Sequence, residues 1–171
     1  DKSRSNYLSE LFYKFLCSHD DSSIMSTTSQ IEERYHDPLC IFDLFDLLRS
    51  CDDKRIRQFC IISIEKVYKL NVRNYKDEEC QVIRKTLIQI IPNEKDFLLR
   101  KNLIDSLVMI MDMSCNEKIE DLFNFASEML MNQDLFTTGL YLMHFVVKSS
   151  DNEDVVEAIP NLLKILLTTV L

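Results

Sequence analysis

The side chains that could do catalytic or metal chemistry in this sequence are not arranged for it. The three histidines lie in separate segments without the spacing of metal ligands: His19, His36 and His144. Adjacent carboxylates, such as those of Glu32 and Glu33, splay apart on a helix. No GxSxG, HExxH or phosphate-loop motif is present, and the single glycine, Gly139, excludes the last of these. We therefore expect no enzymatic activity, no metal and no cofactor, and we expect His144 to be a hydrogen-bonded core residue.

The six cysteines are also scattered, without a CxxC pair: Cys17, Cys40, Cys51, Cys60, Cys80 and Cys115. Cys40 and Cys60 fall on apolar helix faces, as reduced and buried thiols do. This pattern is typical of a cytoplasmic or nuclear protein rather than of a disulfide framework or a zinc site. The sequence shows no secretory signal and no uncharged apolar run of about 18 residues, so we expect no membrane span.

One recurring spacing does have structural meaning. An aspartate is followed four residues later by arginine, or in the last copy by threonine: Asp53/Arg57, Asp96/Arg100 and Asp134/Thr138. Such an aspartate can cap the free N–H groups at a helix start, where the helix dipole favours negative charge. The arginine, one turn later, can reach the aspartate of a neighbouring repeat. The copies are 43 and then 38 residues apart, close to the period of about 40 residues in HEAT repeats.

Apolar periodicity predicts that helices position these residues. With one glycine and three prolines, the chain lacks the residues that tight strand connections need. The predicted helices run over residues 7–17, 22–35, 38–49, 54–70, 77–91, 96–112, 117–131, 135–148 and 155–171. Paired, they give repeats at about 5–35, 38–70, 77–112 and 116–149, with the first helix of a further repeat at 154–171. The predicted fold is all-α, a right-handed α-α superhelix of the HEAT/ARM solenoid type.

The last predicted helix contains IPNLLKILLTTVL and stops on an apolar residue. Terminal repeats of solenoids normally have a polar outer face. We therefore expect residues 1–171 to be the N-terminal segment of a longer solenoid.

Binding residues are expected on the inner helices, which line the concave side of a HEAT solenoid. On helix 54–70 the face opposite the apolar stripe contains Gln58, Glu65, Lys66 and Lys69. On helix 96–112 it contains Lys101, Asn102, Asp105 and Asp112. The formal charge of −8 disfavours binding to a phosphate backbone and favours basic partners. We therefore expect protein partners and no direct contact with nucleic acid or membrane.

Residues 37–70, DPLCIFDLFDLLRSCDDKRIRQFCIISIEKVYKL, resemble the second HEAT repeat of the importin-β (karyopherin-β) family, most closely at Ile56–Cys60. The preceding segment, which begins LSELFYKFLCSHDDSS, resembles that family's first repeat, although Ser26–Ser29 replace an alanine-rich stretch. Among the branches, the chain is most similar to importers of ribosomal proteins and histones.

This resemblance implies a nuclear transport receptor found in the cytoplasm and the nucleus. Its partners would be Ran-GTP, basic cargo such as ribosomal proteins or histones, and the phenylalanine-glycine repeats of the nuclear pore. Ran-GTP and cargo would compete allosterically through the flexible solenoid. The alternative is a HEAT-repeat scaffold or assembly factor of a proteasome, ribosome or trafficking complex, without a GTPase switch.

Overall fold

The structure is a computed structural model that describes residues 2–113 and 119–149, together with Pro160. Within those residues the chain has α helices, one short 3-10 turn at Ile91–Asn93 and no strand, which confirms the all-helical prediction. The helices are α1 Lys2–Cys17, α2 Asp21–Tyr35, α3 Cys40–Ser50, α4 Lys54–Asn71, α5 Asp77–Ile90, α6 Phe97–Asp112, α7 Ile119–Leu130 and α8 Phe136–Ser149. Apart from Pro160, the predicted ninth helix lies outside the described residues. None of the described helices is long and apolar enough to cross a membrane.

Aspartate side chains start three of these helices. Asp20 accepts a hydrogen bond from the backbone N–H of Ser23 at 2.9 Å at the start of α2. Asp53 accepts one from the N–H of Arg55 at 2.8 Å at the start of α4. Asp96 does the same for α6, with N–H donors at 3.0 and 3.1 Å. Each carboxylate thus satisfies donors that have no partner within the helix.

The predicted starts of α3 and α1 were wrong by more than one residue. Helix α3 begins at Cys40 instead of Pro38. The Asp37 side chain accepts a hydrogen bond from the N–H of Leu39 at 3.0 Å, and the Asp37 carbonyl accepts one from the N–H of Cys40 at 2.9 Å. These bonds hold residues 36–39 in a turn. Helix α1 begins at Lys2, five residues earlier than predicted.

The helices pack as successive pairs, α1 on α2, α3 on α4, α5 on α6 and α7 on α8. In each pair we call the earlier member the first helix and the later member the second helix. First helices also contact first helices, α1 on α3 and α3 on α5, and second helices contact second helices, α2 on α4, α4 on α6 and α6 on α8. Contacts therefore run from each pair to the next.

A continuous apolar core fills the space between first and second helices. Phe12 of α1 meets Phe59 of α4 edge to face, with ring centroids 4.5 Å apart. Cys40 and Cys60 are buried in this core, as predicted, and Cys17 is exposed. Burial raises the pKa of the Cys40 thiol to about 12, so this side chain behaves as a small apolar group.

An ion cluster joins the first two helix pairs. Asp43 on α3 is the centre of the cluster, and its side chain is only 6% exposed. It accepts hydrogen bonds from Arg4 at 3.0 Å and from Arg34 at 3.2 Å. Arg4 also pairs with Asp37 at 2.5 Å. Although desolvation lowers the pKa of Arg4, its hydrogen bonds to the two aspartates outweigh this and raise the pKa overall.

Candidate interaction surface

A ladder of polar contacts runs along the starts of the second helices, but its partners differ from the predicted ones. Arg57 reaches the next helix pair, where it forms an ion pair with Glu94 rather than with Asp96. Arg57 does not pair with Asp96 because both carboxylate oxygens of Asp96 have other partners. One Asp96 oxygen caps α6, and the other accepts from Lys54 Nζ at 2.5 Å. These hydrogen bonds, that from Lys54 above all, lower the pKa of Asp96.

Glu94 therefore serves two helix pairs at once. One of its carboxylate oxygens binds Arg57, and the other accepts the backbone N–H of Asp96 at 2.9 Å. The Glu94 side chain is only 5% exposed, so these two donors compensate for the loss of its contacts with water.

We expect Glu94→Gln to lower the free energy of unfolding by about 1.5 kcal/mol, because it replaces a charge-assisted hydrogen bond by an amide facing guanidinium donors. Urea unfolding followed by circular dichroism would measure this. Glu10→Gln, at an exposed position in the middle of α1, is the matched control and should change stability by no more than about 0.5 kcal/mol. Equal stabilities of the two variants would contradict the role given to Glu94.

The third copy of the spacing was assigned one residue too early. Helix α8 starts at Phe136, and the N–H of Gly139 donates to the carbonyl of Leu135 at 2.8 Å. Leu135 and Gly139 therefore occupy the positions that Asp96 and Arg100 hold in α6. Asp134 precedes the helix start, and it is the Asp134 backbone carbonyl that accepts from Arg100 at 3.2 Å. Thr138 is buried.

The predicted binding residues of α4 lie together on one side of the helix. Gln58 is exposed. Lys66 pairs with Glu32 of α2 at 2.9 Å and lies over the Tyr35 ring. Glu65 accepts a hydrogen bond from Ser106 of α6 at 3.0 Å. Lys69 is exposed and lies 3.7 Å from the other Glu65 oxygen.

The predicted binding residues of α6 lie on the same side of the molecule, and two of them contact α8. Asp105 accepts a hydrogen bond from the Tyr141 hydroxyl at 2.7 Å. Lys101 lies over the Tyr141 ring, 5.1 Å from its centroid. Asn102 is half-buried, and Asp112 is exposed. Burial, together with the bond to Asp105, raises the pKa of Tyr141 to about 12, so the hydroxyl remains a donor at neutral pH.

These side chains form one surface, which we call the second-helix face. It comprises Gln58, Ile62, Glu65, Lys66, Lys69, Lys101, Asn102, Asp105, Asp112 and Tyr141. The sequence-based selection missed Ile62 and Tyr141. Ile62 follows Gln58 by one turn and is 57% exposed, although it is aliphatic. Its helical register with Gln58, Glu65 and Lys69 is the signal that could have identified it.

The histidines are not part of any cluster on this surface. His144 is exposed on α8 and packs edge-on against Phe145, so the prediction of a core position was wrong. Its helical position faces away from the most buried side of that helix, which includes Leu142 and Val146. Among the described residues, no group of three or more His, Cys, Asp or Glu side chains could hold a metal ion.

Comparison with protein-family models, curated proteins and solved structures finds no match to this chain.

Proposed function

We propose that the chain is a HEAT-type α-α solenoid segment that binds protein partners through the second-helix face. The solenoid is supported by contacts that run from first helix to first helix and from second helix to second helix. It is also supported by the aspartate caps of α4 and α6, which repeat at the same place in successive pairs.

The observation that carries the binding proposal is the linkage of polar side chains across the second-helix face. Lys66 with Glu32, Glu65 with Ser106, and Asp105 with Tyr141 connect four successive second helices. Side chains held in this way lose less conformational freedom when a partner binds. Ile62 adds an exposed aliphatic group among them, and an apolar anchor surrounded by polar groups is typical of binding hot spots.

The partner we propose is the small GTPase Ran in its GTP form, with basic proteins as cargo. This part of the proposal comes from the resemblance of residues 37–70 to importin-β HEAT repeats. It makes the chain part of a nuclear transport receptor that meets pore repeats and moves between cytoplasm and nucleus.

Ile62→Glu should weaken binding to GTP-loaded Ran at least about tenfold, equivalent to about 1.4 kcal/mol, because a charge replaces the apolar anchor. Val82→Glu is the matched control, since Val82 is also an exposed β-branched residue within a helix, 49% exposed on first helix α5. Isothermal titration calorimetry of the wild-type chain and both variants with Ran-GTP and Ran-GDP measures these affinities.

If both variants weakened binding to Ran-GTP equally, the second-helix face would not be the binding surface. Equal affinity of the wild-type chain for the GTP and GDP forms, or no binding, would remove the transport role. The HEAT scaffold without a GTPase switch would then be the better description.

A further inference from the structure

A cleft separates first helices α5 and α7. It has a volume of about 400 Å³, whereas α1 packs directly on α3 earlier in the chain. Its apolar lining consists of Ile88, Met111, Leu122 and Phe125. The first helices are therefore not packed uniformly, and the cleft lies where the α7–α8 pair meets the rest of the molecule.

Helices α7 and α8 form a tightly packed unit. Gly139 of α8 lies so close to α7 that a Cβ atom there would be 2.9 Å from the backbone nitrogen of Leu130. Ala126 and Leu142 are fully buried between the two helices. Two helices in such backbone contact cannot slide past each other without steric clash.

Among the described residues, the contacts that join the α7–α8 unit to the preceding helices are mainly those between α8 and α6. Helix α8 contacts α6 through the Tyr141–Asp105 hydrogen bond and the Lys101–Tyr141 contact, and the carbonyl of Asp134, two residues before α8, accepts a hydrogen bond from Arg100 of α6. All three lie on one side of α7–α8, and the cleft lies on the other. This arrangement has the geometry of a hinge along the α6–α8 contact.

The two walls of the cleft have opposite charge. Arg84 and Lys85 line it from α5, and Asp121 and Glu128 line it from α7. Burial lowers the pKa of the Arg84 guanidinium, and the negative charge of Asp121 acts in the opposite direction. Lys85, Asp121 and Glu128 are exposed, so salt should screen the attraction between the walls.

We propose that the α7–α8 unit turns about its contact with α6, and that attraction between Arg84 and Lys85 on one wall and Asp121 and Glu128 on the other draws the cleft closed. This movement changes the angle between α6 and α8, and with it the curvature of the second-helix face. It does not require that Ran be the partner.

Distance measurements by pulsed electron spin resonance test this hinge. One spin label replaces Val82 on α5 and a second replaces Met131, which directly follows α7 and is 69% exposed outside the cleft lining, both introduced through a ketone-bearing amino acid so that native thiols stay unlabelled. The control pair, at Arg49 and Val82, spans α3 and α5. Measurements compare about 0.01 M and about 1 M salt, where the Debye length is about 30 Å and about 3 Å.

We expect the label-to-label distances of the α5–α7 pair to be more broadly distributed than those of the control pair. We also expect the mean α5–α7 distance to lengthen at high salt by more than the width of the control distribution. Lys85→Glu should lengthen the mean distance at low salt, and adding Glu128→Lys should shorten it again. A narrow distribution that responds to neither salt nor Lys85→Glu would overturn the hinge. A salt response that Lys85→Glu leaves intact would overturn the role of the facing charges.

Discussion

Replacing Asp43 by alanine is expected to lower the free energy of unfolding by about 3 kcal/mol. Asp43 is buried on α3 and accepts from two guanidinium groups, those of Arg4 and Arg34. Its removal leaves Arg4 and Arg34 with Asp37 as their remaining carboxylate partner, and breaking a buried ion pair typically costs about 3–5 kcal/mol. We place the effect at the lower end because the arginine side chains are 31% and 26% exposed.

Urea unfolding followed by circular dichroism measures this loss. The control is Asp52→Ala, which removes an exposed carboxylate between α3 and α4 and should leave stability unchanged. Adding Arg34→Met to Asp43→Ala should recover part of the loss, since it removes a guanidinium that has lost the nearer of its two carboxylates. A loss no larger than that of the control would show that the cluster contributes little.

Replacing Gly139 by alanine is expected to destabilise the chain by about 1–3 kcal/mol, as overpacking of a close contact does. Helix propensity alone gives the opposite sign, because alanine stabilises a helix interior by up to about 1 kcal/mol relative to glycine. Geometry decides between the two effects. The added Cβ would lie 2.9 Å from Leu130 N and 3.1 Å from Ala126 O, both backbone atoms that no side-chain rotation can move away.

The same unfolding measurement tests this sign. Thr137→Ala, at an exposed position two residues earlier on α8, is the matched control and should be neutral or slightly stabilising. If Gly139→Ala were as stable as the control, α7 and α8 would have to be less closely packed than the structure shows.

The helices could be predicted from sequence because their signals are local. Apolar periodicity located the second helices α4 and α6 to within a residue, and Asp53 and Asp96 marked their starts. The start of α3 was misplaced because Asp37 forms a side-chain turn with Leu39 that delays the helix beyond Pro38. The third copy of the spacing was placed one residue too early because Asp134 is the aspartate that fits the sequence pattern. In the structure it is Leu135 that directly precedes α8.

The candidate site was only partly predictable from sequence, because local helix signals do not determine contacts between helices. Helical projection correctly put Gln58, Glu65 and Lys66 on one side of α4. It could not show that Lys66 would meet Glu32, or that Arg57 would meet Glu94, because those contacts depend on how neighbouring helices are offset. Contacts between residues some 35–40 positions apart are set by packing, which a single-helix pattern does not encode.

Isoleucine-methyl nuclear magnetic resonance of the chain, with and without GTP-loaded Ran, tests the central claim most directly. Ile62 on the second-helix face is 57% exposed, and Ile41 on first helix α3 is buried away from both that face and the cleft. We predict that Ran-GTP shifts the Ile62 methyl signal, leaves that of Ile41 in place, and that Ran-GDP changes neither. A shift at Ile41 with none at Ile62, or no GTP-dependent shift at all, would contradict partner binding at the second-helix face.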